Sequence, residues 1–122
     1  MIPILLVAAG GALGAVARFL VAGAVAQRLG AQWPWATLFI NLSGCLLISL
    51  FLGASSGWLA TPAFRYLLPI GFVGAYTTFS TYEYETLELF QQGRAGAAFA
   101  YVAASNLLGF AAAAAGAWLA RR

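Results

Sequence analysis

The sequence predicts an all-α integral membrane protein of four transmembrane helices, the third of them broken within the membrane. Three observations predict it. Hydrophobic residues fill 63% of the 122 positions and charged residues only 7%, whereas a soluble domain carries about 25% charged residues. The six Arg and three Glu are placed so that residues 29–64 and 95–120 hold no charge, and one crossing of the hydrocarbon core takes about 20 apolar residues. The third observation is the run of glycine, threonine and aromatic residues from Gly71 to Tyr82, whose low helix propensity interrupts a segment otherwise suited to spanning. With no His, Lys or Asp and a single Cys, the chain is poor in metal ligands and lacks a second thiol for an internal disulfide. That argues against metalloenzymes and redox proteins.

The elements follow in chain order as one membrane domain over residues 1–122. The first span takes residues 3–28. Gly10 and Gly14 have the spacing that in lipid most often means close helix packing. Arg18 lies deep in this span, where a charge costs ~2.5–3.5 kcal/mol on insertion scales. It therefore needs an exit or a partner: the interface reached by snorkelling, a carbonyl of another span, or an aqueous vestibule in which it attracts anions. Ala24, Val25 and Ala26 have the form of a signal cleavage site. No basic residue precedes the apolar run, however, and Arg18 interrupts it, so the segment is expected to be retained.

The second span, residues 35–58, follows the turn residues Gly30 to Pro34. It carries Thr37, Asn41 and Ser43, with Thr37 and Asn41 one turn apart on a shared face. Gly53 and Gly57 repeat the small-residue spacing. The third span, residues 63–91, follows Ser55 to Pro62 and carries Tyr76, Thr77, Thr78, Ser80, Thr81 and Tyr82. A break there frees backbone groups that only protein or a wet cavity can cover, the device by which transporters coordinate ions. Glu83, Glu85 and Glu88 close this span; the plain reading is a solvated helix end, and the alternative is an ion relay at a pore mouth. After Gln91 to Arg94, the fourth span at residues 95–119 holds Tyr101 and Ser105 on one face, with Asn106 beside them. Trp33, Trp35, Trp58 and Trp118 fall near span ends, where indole favours the headgroup region.

The loop arginines give little orientation. With both termini inside, Arg65, Arg121 and Arg122 face Arg28 and Arg94 across the membrane, so the chain inserts either one way with a weak bias or both ways. Four thin helices enclose little space, and an oligomer is the expected working unit. A lone intramembrane hydroxyl usually bonds its own helix backbone, but polar clusters drawn from three spans point to a lined path. The available groups are hydroxyls, Asn amides, aromatic edges and Arg18, all donors, which suits an anion.

These segments together resemble the Fluc family of small fluoride channels, also called CrcB proteins. Gly10 through Arg18 is similar to the family's glycine-rich first helix ending in Arg. Ala36-Thr37-Leu38-Phe39-Ile40-Asn41-Leu42-Ser43-Gly44 resembles its G-T-L-x-V-N-x-x-G, and Gly71 through Thr81 resembles its G-F-x-G-x-x-T-T-F-S-T signature. Tyr101 with Ser105, Asn106 and Gly109 is a looser match. The resemblance implies an antiparallel, dual-topology homodimer in the inner (plasma) membrane with two fluoride pathways. It implies that Phe79 and Tyr82 are paired aromatics whose edges face fluoride, that Asn41 is the pore asparagine, and that Thr37, Ser80, Thr81, Tyr101 and Ser105 belong to the pathway. It also implies a structural Na⁺ on the backbone carbonyls of Gly74 and Thr77, shared between subunits, and vestibule or gating roles for Arg18 and Glu85. Three positions depart from the pattern: Tyr82 stands where a second Phe is common, and Ala36 and Ala75 where Gly is frequent.

The expected function is therefore passive export of fluoride, relieving its toxicity, with no chemical step and no catalytic residue. A small dual-topology, proton-coupled multidrug transporter is the alternative of similar size. That mechanism needs an acid in the first span, and residues 1–28 contain none. A noncatalytic membrane partner, the third class, leaves the polar clusters unexplained.

Overall fold

A computed structural model describes residues 1–53 and 57–122, and for Gly57 and Trp58 the backbone only. Ser55, the Gly57 half of the second small-residue pair and the Trp58 ring therefore lie outside the described residues. Those described are helical and contain no strand. Helix α1 runs Ile2–Leu29 and α2 runs Trp35–Gly53, and a 3₁₀ turn at Gly57–Ala60 leads into α3, Pro62–Arg65. A π-helical stretch, Tyr66–Val73, continues into the short α4, Gly74–Tyr76, and after the break α5 runs Phe79–Gln91 and α6 Ala95–Leu119. Helices α1, α2 and α6 are each long and apolar enough to cross a membrane. The predicted broken segment is the remaining one.

Local chemistry explains the joints. Gly30 ends α1 with φ 77° while its N–H bonds the Ala26 carbonyl, and Gly93 turns the chain between α5 and α6 with φ 73°; both angles lie in the left-handed region that glycine enters without penalty. Pro69 sits inside the π-helical stretch. It supplies no N–H and its ring crowds the carbonyl a turn earlier, a conflict that widening the helix by one residue relieves. The composition predicts a break within residues 71–82, and the chain leaves the helix at Thr77 and Thr78; it does not predict this widening.

Packing is by backbone contact more than by large side chains. A Cβ on Gly10 would collide with the Leu67 carbonyl, and one on Gly14 with the Phe72 carbonyl, so α1 lies directly on the π-helical stretch. Gly116 does the same for α6 on α2, against the Leu46 carbonyl. Small residues allow such approach where no hydrophobic effect drives helices together. The buried cluster of Leu38, Tyr82, Leu89, Ala98 and Tyr101 sits where α2, α5 and α6 meet. Leu13, Val16, Phe19, Leu107 and Phe110 face outward, as suits a surface met by lipid or by another chain.

Candidate functional site

The site grows from the break. Thr77 and Thr78 are extended, with φ −79°, ψ 159° and φ −149°, ψ 113°. In a continuous helix the Thr78 N–H would bond the Gly74 carbonyl; here it bonds Asn41 Oδ1 at 2.9 Å, and Asn41 Nδ2 donates to the Thr78 carbonyl at 3.0 Å. One carboxamide on α2 thus satisfies both backbone groups of the residue that leaves the helix. Its second N–H remains for another acceptor. The Thr78 hydroxyl caps α5 by accepting from the Thr81 N–H at 3.3 Å, and it donates to the Thr81 hydroxyl at 2.9 Å. That leaves the Thr81 hydrogen pointing away from Thr78. Because Thr81 N–H goes to the cap, the Thr77 carbonyl is released from the ladder too, and Arg18 Nη1 approaches it at 3.4 Å. Among the options for Arg18, the structure takes the carbonyl of another span.

Two recesses flank this crossing. One, about 320 Å³, is lined by Arg18, Thr37, Thr78 and Thr81; the other, about 300 Å³, by Asn41, Gly44, Gly74, Thr77 and Phe79. Gly44 is required there, since a Cβ would strike the Thr77 methyl. Ser43 bonds its own helix at the Phe39 and Ile40 carbonyls, at 2.8 and 3.0 Å, and also meets the Tyr76 hydroxyl at 2.9 Å. It ties the break to α2.

A turn and a half further along α5, Glu85 receives the Thr37 hydroxyl on Oε1 at 2.8 Å and the Tyr101 hydroxyl on Oε2 at 2.7 Å. The reading of the three glutamates as a solvated helix end is thus corrected for Glu85, which bridges α2 and α6; Glu83 and Glu88 are exposed. Both hydroxyls reach the carboxylate because Thr37 and Tyr101 are themselves buried. Each hydroxyl thereby spends its one hydrogen on the Glu85 side chain. Above Glu85 opens a vestibule of about 380 Å³ lined by Gln32, Trp33, Glu88, Gln92 and Arg94, its rim tied by Arg94 donating to the Gln32 carbonyl at 2.7 Å. A row of rings runs from the cavity to the break: Trp33 to Tyr101 at 5.3 Å, Tyr101 to Tyr82 at 5.2 Å, and Tyr82 to the exposed Phe79 at 5.8 Å.

A family model described as CrcB-like protein, Camphor Resistance (CrcB), matches residues 5–117. The chain belongs to the CrcB family. Its relatives include the fluoride-specific ion channel FluC of Acidobacterium capsulatum, 49% identical over 84% of this chain and 83% of that one. FluC 1 of Nitrobacter hamburgensis is 48% identical over 86% of this chain and 84% of its own. FluC of Caulobacter sp. strain K31 is 41% identical over 100% of this chain and 97% of its own.

Within this CrcB chain the expected pathway residues divide between two surroundings. Thr37, Tyr101 and Tyr82 are buried between α2, α5 and α6 beside the half-buried Glu85, and Ser105 is half-buried one turn along α6. Phe79, Ser80 and Thr81 are exposed on the outer face of α5. The two aromatics do not flank one cavity in a single chain: Phe79 is 72% exposed and Tyr82 8%. Three features escaped the sequence reading. Thr78 is the capping and bridging residue, Trp33 stacks its edge on Tyr101, and Asn106 reaches the Tyr82 hydroxyl at 3.3 Å. The Thr78 cap alone left a signal, a threonine three residues before another polar residue at the start of a helical run.

Proposed function

We propose that this chain is a fluoride-selective channel, a homodimer of two oppositely oriented copies in the cell membrane, exporting the anion passively from the cytoplasm. The name carried by its relatives supports the cargo. In the molecule the carrying observation is the break held open by Asn41, where hydroxyl and amide donors meet recesses on both sides. Such a series replaces a hydration shell stepwise without one deep trap. Arg18 adds the positive charge that draws an anion in. Passage beside Thr37 and Tyr101 requires Glu85 to yield their hydroxyls, since each has one hydrogen to give.

A second copy closes what one chain leaves open: Phe79 and Ser80 stand on an uncovered face, and the near-even arginines are compatible with insertion both ways. The same pairing provides for Na⁺. The carbonyls of Gly74 and Thr77 are hard oxygen donors that the break releases from the helix ladder, the Thr77 oxygen keeping its second lone pair beside the 3.4 Å Arg18 contact, and beyond Gly74 a Cβ would meet nothing within 4 Å. Two oxygens per chain underfill a cation shell, and two chains supply four. Bound there, Na⁺ would pin the paired breaks together. The proton-coupled multidrug alternative lacks support, because α1 offers no acid.

Proteoliposomes loaded with fluoride test this. Efflux without a proton gradient is expected, Asn41→Ala lowering it by at least about tenfold through the unpaired backbone of Thr78. Wild-type efflux from Asn41→Ala would remove the break from the pathway.

A further inference from the structure

Tyr82 is packed between the rings of Phe79 and Tyr101, and only its tip is polar. Asn106 Nδ2 lies 3.3 Å from that phenol oxygen and 2.8 Å from the carbonyl oxygen of Val102, one turn back on α6. A carbonyl can only accept, so it fixes the NH₂ end of the carboxamide on this side. The bond to Tyr82 therefore has one sense, with Asn106 donating and the phenol oxygen accepting. Both Asn106 N–H groups are then used. The Tyr82 hydrogen is turned away from them, and among the described residues no acceptor meets it. Tyr82 as a whole is buried, but its contact with the exposed Asn106 is only part-buried, so a hydroxyl with a fixed, unspent hydrogen stands there within reach of an acceptor that comes and goes. The Tyr82 ring packs on that of Tyr101, whose own hydrogen is spent on Glu85.

We infer that the Tyr82 hydroxyl is an anion-binding donor of the pathway, and that Asn106 is the positioning residue that aims its hydrogen. This rests on the fluoride-channel reading above. A phenol O–H bonds a small, strongly basic halide far better than a large one, because the charge-assisted bond shortens and strengthens as the acceptor charge is concentrated. The pair therefore adds selectivity for fluoride over chloride. Removing either partner has the same consequence. Tyr82→Phe deletes the donor, and Asn106→Leu removes the bond that fixes the direction of the hydroxyl hydrogen.

Fluoride and chloride fluxes of wild type, Tyr82→Phe, Asn106→Leu and the double variant decide the matter. Each single variant is expected to lower the fluoride-to-chloride permeability ratio about tenfold, and the double variant to fall no further than Tyr82→Phe. A purely structural Asn106 would lower both fluxes alike and would add to Tyr82→Phe, which overturns the inference. An impermeable wild type overturns the channel reading, and this inference with it. A conducting wild type matched in its ratio by Tyr82→Phe overturns this inference alone. Should Tyr82→Phe fail to assemble, the infrared phenol C–O band decides: a fluoride-induced shift in wild type that Asn106→Leu removes supports it, and its absence or its persistence in Asn106→Leu overturns it.

Discussion

Asn41 shows how one side chain licenses the break. Its carboxamide offers a donor and an acceptor on one plane, matching the carbonyl and N–H of Thr78, and a buried backbone group left without such a partner costs ~1–3 kcal/mol. Asn41→Asp keeps the acceptor and loses the donor. It is expected to unfold at lower temperature in detergent than wild type, and Asn41→Ala lower still; equal melting of all three would show the pairing contributes nothing. The sequence pointed to Asn41 by its rarity in an apolar span, but its partner lies 37 positions away, beyond any helical spacing. Glu85 was misread for the same reason. Its neighbour at helical spacing is Glu88, while the groups that hold it, Thr37 and Tyr101, come from other helices.

Elements meet here through glycine. Gly10 and Gly14 carry α1 onto the carbonyls of Leu67 and Phe72, whereas Gly23 on the same helix faces open space. Gly14→Ala is therefore expected to lose ~1–3 kcal/mol by overpacking, read as a lower melting temperature, while Gly23→Ala is neutral or gains slightly from helix propensity. Matching losses in the two variants would contradict backbone contact at Gly14. That spacing was legible in the sequence as a packing signal, though not which helix answered it. The break was legible as well, because Gly71, Gly74 and consecutive threonines oppose a regular helix. The π-helical stretch around Pro69 was not: widening a turn and kinking it are both responses to a missing N–H, and neighbouring backbone selects between them.

At the scale of the molecule, the proposed site lies on a face that one chain leaves uncovered. The break, the exposed Phe79 and the recesses on either side of Asn41 open onto a face that a second copy is proposed to cover. If Na⁺ joins the two copies through the Gly74 and Thr77 carbonyls, exchanging it for a large organic cation should shift purified protein from dimer toward monomer. An unchanged mass would remove the ion from the assembly. Composition and hydropathy made the membrane class legible, since they follow from the solvent alone; pairing of copies depends on which face meets which, and no single-chain pattern encodes that. The most direct test of the central claim is halide efflux from proteoliposomes holding the purified wild type, with the proton gradient collapsed. The account predicts rapid fluoride release with chloride largely retained, and vesicles that hold their fluoride, or that release it only when protons are exchanged, would contradict it.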